Sequence, residues 1–158
     1  MKRINSFVIV FMIFTFSLMG AKMNNNPRIY TRKDVKIELS ASYVKETVVL
    51  KMKFNNLSSD TIKIPTFLFP SDEKDFFGDW FEITDNNDNI IDYEGIQADI
   101  DYNSENVDCL VLKPNQKYTI TFSGLTKYYN LLKGEIYSIS YLGPLGESNT
   151  VKLKINHI

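Results

Sequence analysis

Apolar and polar residues alternate with period two along most of the chain. VKIELS places Val35, Ile37 and Leu39 on one side. VVLKMKF sets Val48, Leu50, Met52 and Phe54 against the outward Lys51 and Lys53. TIKIP repeats the pattern with Ile62 and Ile64. YTITF sets Tyr118, Ile120 and Phe122 against Thr119 and Thr121, and IYSISY sets Tyr137, Ile139 and Tyr141 against serines. VKLKI closes with Val151, Leu153 and Ile155 against two lysines. Turn-forming stretches such as NNLSSD, KPNQK, LKG and GPLGESN bound these runs. Clean alternation implies antiparallel sheets with one face in water. A helical turn is accommodated only by the short TKYYNLLK at 126–133. The expected fold is all-β: an antiparallel β-sandwich of about seven to nine strands. WFEITD and NIIDYEG flank Asn86-Asn87-Asp88 and predict a hairpin. Its aromatics, Phe77, Trp80, Phe81 and Tyr93, are then divided between core and rim.

The N-terminus departs from this pattern. Lys2 and Arg3 precede an apolar run from Phe7 to Met19, interrupted by Thr15 and Ser17, and Gly20 and Ala21 follow. That order predicts a secretory signal peptide over residues 1–21. The run is shorter than the roughly 20 residues a bilayer span requires. KMNNNPRIYT then predicts a polar tail over 22–32, leaving one sandwich domain at 33–158. The expected location is the bacterial periplasm or the exterior. A membrane is expected to be contacted only through an uncleaved signal segment. With a single cysteine, Cys109, no intramolecular disulfide can form, so stability has to come from the core. Cys109 lies in NVDCLVL and is expected to act as a small buried hydrophobe.

A formal net charge of −1 conceals a strong asymmetry. Residues 72–108 hold thirteen acids and one base, a balance of −12. Residues 22–71 hold nine bases and four acids, and residues 109–158 hold six and two. One acidic face is therefore expected. No single segment carries the concentrated basic patch that phosphates require, so nucleic acid is not an expected partner.

The inventory of reactive groups is narrow. The one histidine, His157, is the next-to-last residue, which argues against a zinc site or a Ser/His/Asp triad. Asp85, Asn87 and Asn89 have the 1-3-5 spacing of a helix–loop–helix calcium loop. The match ends there, because Ile90 and Ile96 stand where that loop needs glycine and glutamate. Asn56-Leu57-Ser58 is a formal glycosylation triplet. The expectation is a protein that is not an enzyme and uses no cofactor or metal.

Three further segments, FEITDNNDNIIDYEG, LKPNQKYTITFSGL and TKYYNLLKGEIYSISY, occur in a suggestive order. They resemble the N-terminal immunoglobulin-like domain of deuterolysin-type (aspzincin) metallopeptidases. Phe81-Glu82-Ile83, Tyr93-Glu94-Gly95, Leu112-Lys113-Pro114, Tyr128/Tyr129 and Gly134 through Tyr141 occupy that domain's motif positions. The chain departs at Asn115, where the family has glycine, and at Ile96-Gln97-Ala98, where it has a basic pair. It also lacks the peptidase domain, so no catalytic residue carries over. The resemblance implies a sandwich that accompanies or restrains a protease. The expected function is an exported inhibitor or immunity-like protein that blocks a protease or toxin, basic at the contact, through an acidic, aromatic-rich face. Phe77, Asp79, Trp80, Asp99 and Asp101 are the candidate partner-binding residues, with the sandwich core as the competing place for Trp80. The alternative is a periplasmic or surface ligand-binding or adhesion module that uses calcium. A third reading is an accessory that holds a subunit by an edge strand.

Overall fold

The computed structural model describes residues 26–72, 78–97 and 107–156. The expected signal peptide over 1–21 lies outside them. Nine strands are present among the described residues: β1 (Arg28–Ile29), β2 (Val35–Val44), β3 (Thr47–Asn56), β4 (Ile62–Pro65), β5 (Phe81–Thr84), β6 (Cys109–Leu112), β7 (Lys117–Phe122), β8 (Ile136–Tyr141) and β9 (Val151–Lys154). They form three sheets, ordered β1-β4-β6, β2-β3-β7 and β5-β8-β9. The protein is an all-β sandwich. Every strand pair is antiparallel except β1 with β4.

Period-two alternation translates directly into burial. Val48, Leu50, Met52 and Phe54 of β3 are fully buried, as are Ile62 and Ile64 of β4 and Ile139 of β8. Aromatic packing joins the layers: Phe81 of β5 stacks on Phe122 of β7 at 6.1 Å, and Tyr141 meets Phe81 edge-on at 5.5 Å. The exception is Tyr118, which sits at the exposed margin of β7 and packs edge-on against Phe69 at 5.4 Å.

The longest hairpin is closed where the sequence carries no strong turn signal. β2 and β3 pair from Val35↔Asn56 to Val44↔Thr47. Only Lys45 and Glu46 are left to turn, at φ 46° and 64°. Two positive φ values mark the turn that matches strand twist, although glycine or asparagine usually fills it. Lys133 holds Glu46 with a 2.8 Å ion pair, which helps keep the tip in place.

Three crossings between sheets meet at one corner. The chain passes from β1 to β2 through a short 3-10 turn at Arg32–Asp34, from β3 to β4 through 57–61, and from β6 to β7 through 113–116. Asn56, fully buried, satisfies all of its side-chain hydrogen-bonding capacity here. Its Nδ2 donates to the carbonyls of Asp60 (2.8 Å) and Leu112 (3.0 Å). Its Oδ1 accepts from the Ser58 amide (2.9 Å) and hydroxyl (2.7 Å). The Asn56 backbone donates to Gln116 and accepts from Asn115. Beside it, Arg28 donates both terminal nitrogens to Asp34 at 2.8 Å and its Nε to Asp60 at 2.9 Å. The amide of Leu57 donates to the Asp34 carbonyl at 2.7 Å.

One expectation changes at this corner. The polar stretch 22–32 is attached to the domain from Arg28 onward, because Arg28 pairs in β1 and bridges two aspartates. The Asn56-Leu57-Ser58 triplet cannot accept a glycan in the folded protein, since both amide hydrogens are committed inside the core. Elsewhere, Cys109 is half-buried rather than buried, at the start of β6, with its thiol donating to the Val107 carbonyl at 3.4 Å.

Asn56→Ala removes the side-chain donors to the Asp60 and Leu112 carbonyls and the acceptor of the Ser58 amide. It is expected to lower stability by about 2–4 kcal/mol in urea unfolding. The Arg28 guanidinium, aided by Thr31, holds the Asp34 carboxyl far below the usual aspartate range. A depressed folded-state value means that the contribution of ionised Asp34 is complete above the ordinary aspartate value, about 3.9, and is lost as pH falls below it. Stability measured from neutral pH downward should therefore drop across the acid range, and Asp34→Asn should flatten that drop.

An acidic end built around three tyrosines

β5 and the segment returning from it form the end of the molecule to which the sequence assigned its partner-binding residues. The expected hairpin exists, but its second arm is not a full strand. After the turn, Ile90 bridges Thr84, the Ile91 amide donates to Ile83, and Tyr93 bridges Tyr129. The turn is held by one carboxylate. Asp85 accepts the amides of Asn87 (2.7 Å) and Asn89 (2.9 Å) and the Asn89 side chain (2.8 Å). These bonds, with the Asn89 side chain foremost, pull the Asp85 carboxyl below its ordinary value. The 1-3-5 spacing thus serves the turn itself. Among the described residues no cluster of three or more histidine, cysteine, aspartate or glutamate side chains forms a metal site.

Tyr93, Tyr128 and Tyr129 lie together beyond this turn. Tyr93 stacks on Tyr128 at 5.9 Å and tilts against Tyr129 at 5.5 Å. The buried Tyr129 hydroxyl donates to Asp79 Oδ1 at 2.8 Å and accepts from the Phe81 amide at 3.3 Å. Burial first, then the Asp79 carboxylate, raises the phenol well above the ordinary tyrosine value, so it remains a donor throughout the physiological range. The Tyr93 hydroxyl donates to the Ile96 carbonyl at 3.2 Å and accepts from the Gly78 amide at 3.3 Å, and burial raises its value too.

Two glycines are required by close approach. A Cβ on Gly95 would lie 2.2 Å from the Tyr93 hydroxyl and 2.9 Å from the Tyr128 ring. A Cβ on Gly78, at φ 153°, would lie 2.4 Å from the Trp80 indole nitrogen. The Tyr-x-Gly sequence at 93–95 therefore has a steric cause: the tyrosine ring folds over the glycine.

The predicted residues are distributed unevenly. Asp79 is exposed and engaged by Tyr129. Trp80 is half-buried against the core, and its carbonyl accepts from Leu142 at 2.7 Å, which extends the β5–β8 pairing. It matches neither a fully exposed anchor nor a fully buried core tryptophan. Phe77, Asp99 and Asp101 lie outside the described residues. Among the other acids of 72–108, Asp72 caps the 3-10 turn at Gly124–Lys127. It accepts the amides of Ser123 and Gly124 at 2.8 Å and the Ser123 hydroxyl. Glu82, Asp88, Asp92, Glu94 and Asp108 are exposed. Sequence reading missed Tyr93 and Tyr129 as organising residues of this end. The available signal was the Tyr-x-Gly pair, which carried the resemblance without a mechanism.

No protein-family model matches the chain, and no curated protein is similar to it.

Gly95→Ala should displace the Tyr93 ring and break its bonds to Ile96 and Gly78. The expected loss is about 1–3 kcal/mol, accompanied by a changed near-ultraviolet tyrosine signal.

Proposed function

We propose that the protein is an exported, non-catalytic binding domain that docks a basic protein partner at the acidic, tyrosine-rich end. An inhibitor or immunity-like protein acting on a protease or toxin is the form the reading takes. The supporting observation is the anatomy of the segment 90–96. Ile90 and Ile96 are 69% and 70% exposed, around a Tyr93–Tyr128 platform, and are interleaved with exposed Asp92 and Glu94. Apolar and aromatic groups at the centre of a patch with charges at its rim are the usual makings of a docking surface. The carboxylates steer a basic partner into place, and the tyrosines and isoleucines supply the area it buries. Asp79 contributes from beneath, because its bond to Tyr129 fixes the platform's base. The resemblance to a protease-accompanying domain points to the same partner class, and the scarcity of histidine and cysteine argues for binding over catalysis.

The partner can be sought by passing secreted and envelope fractions over the immobilised protein at low salt, with an Asp92→Lys/Glu94→Lys variant alongside. The expected outcome is a basic protein retained by the first and lost from the second. Its association rate should fall on the order of ten-fold in the variant and with added salt, while dissociation changes little. Equal association rates for the two proteins would remove the acidic end from the interface.

A further inference from the structure

Sheet register builds a second charged surface that no single segment of the sequence displays. In β2-β3-β7 the outward positions align in rows: Lys36↔Asn55↔Lys117, Glu38↔Lys53↔Thr119 and Ser40↔Lys51↔Thr121. Four lysines from three strands therefore share one face with a single glutamate. Glu38 holds Lys36 and Lys53 at 3.1 Å each, and Lys51 and Lys117 make no ion pair among the described residues. Lysine predominates here, without any arginine. An ammonium is a point charge lacking the planar fork that reads one carboxylate or phosphate in fixed geometry. Around the lysines are serine and threonine hydroxyls, with no aromatic side chain at an outward position of these strands. Such a face suits a broad, laterally mobile field of negative charge better than a single shaped ligand.

We infer that the lysine face of β2-β3-β7 adsorbs the domain onto a bilayer surface rich in anionic phospholipid. Three observations favour that occupant. The face is positive, and its apolar residues, Val49 and the 49%-exposed Val44, lie beyond the lysine rows toward the β2–β3 tip. No helix among the described residues is long and apolar enough to cross a membrane. Export, expected from the run Phe7–Met19, delivers the chain to a compartment bounded by such a surface. The carboxylates of 79–94 belong to β5 and its return arm, in the sheet across the core, so adsorption leaves them free. This inference does not depend on the proposed partner.

The test is co-sedimentation of the full chain with phosphatidylcholine vesicles, with and without phosphatidylglycerol, at low and high salt. Three proteins are compared: the natural chain, Lys51→Gln/Lys117→Gln, and Lys152→Gln/Lys154→Gln, whose lysines lie on β9 in the other sheet. Unchanged melting curves establish that each folds. The natural chain should prefer phosphatidylglycerol vesicles in a salt-sensitive way. The first variant should lose about 25-fold of that preference, roughly five-fold per lysine, while the second keeps it. Any contribution of the N-terminal apolar run is common to all three proteins and cancels. Preference retained by the first variant, lost equally by the second, or absent from the natural chain would overturn the inference. So would retention by heparin instead of vesicles, which identifies a soluble polyanion as the occupant. A salt-sensitive dimer broken by Lys51→Gln/Lys117→Gln would assign the face to a second copy.

Discussion

The fold depends most on the corner where the chain changes sheets. A strand that leaves one sheet for another exposes peptide groups that neither sheet can satisfy, and burying them unpaired is costly. Here three such crossings converge, and Asn56 supplies what the backbone cannot: two donors and an acceptor that join the 57–61 crossing to the end of β6. Arg28 and Asp34 complete the arrangement by tying the first strand and the 57–61 crossing to the entry of β2. Without this convergence the three small sheets would have apolar packing, but little to specify which crossing lies beside which.

Charge is arranged by the same geometry. The acids of 72–108 look uniform in sequence, yet they do different work in space. Asp72 caps a turn, Asp85 closes one, and Asp79 anchors a buried tyrosine. Those three are committed to the fold, and among the described residues Glu82, Asp88, Asp92, Glu94 and Asp108 are exposed to act on the surroundings. Lysines that look scattered are gathered onto one sheet face by strand register. The molecule is consequently polar in its charge: the lysine face on one sheet, the tyrosine-backed acidic end on the hairpin of the other.

Two residue types have local steric causes. Asn115, in the turn between β6 and β7, has a φ of 60°, the left-handed conformation that asparagine tolerates best after glycine. Gly95 lies beneath the Tyr93 ring, where any side chain would collide. Both are local steric requirements of this chain. They explain why those residue types occur there, and they leave function to be tested on the surface.

The amino-acid sequence by itself determined where most of the strands run and which way their side chains point, with β1 and the return arm after Asn89 as exceptions. Period-two alternation is a local property, set by the pleat, so Leu50 and Ile139 were legible as core and Lys51 as solvent-facing. It also determined the charge asymmetry and the presence of a single histidine and a single cysteine. Strand partners were not legible, because pairing joins residues far apart. Lys51 meets Thr121, and Arg28 meets Asp60, with no local signal for either. The β2–β3 turn was hidden because Lys45 and Glu46 are poor turn formers that the surrounding pairing forces into place. Only the tertiary structure placed Tyr129 over Asp79, committed Asn56 to the core and assembled four lysines on one face. Each of these outcomes depends on which segments become neighbours, and long-range packing decides that.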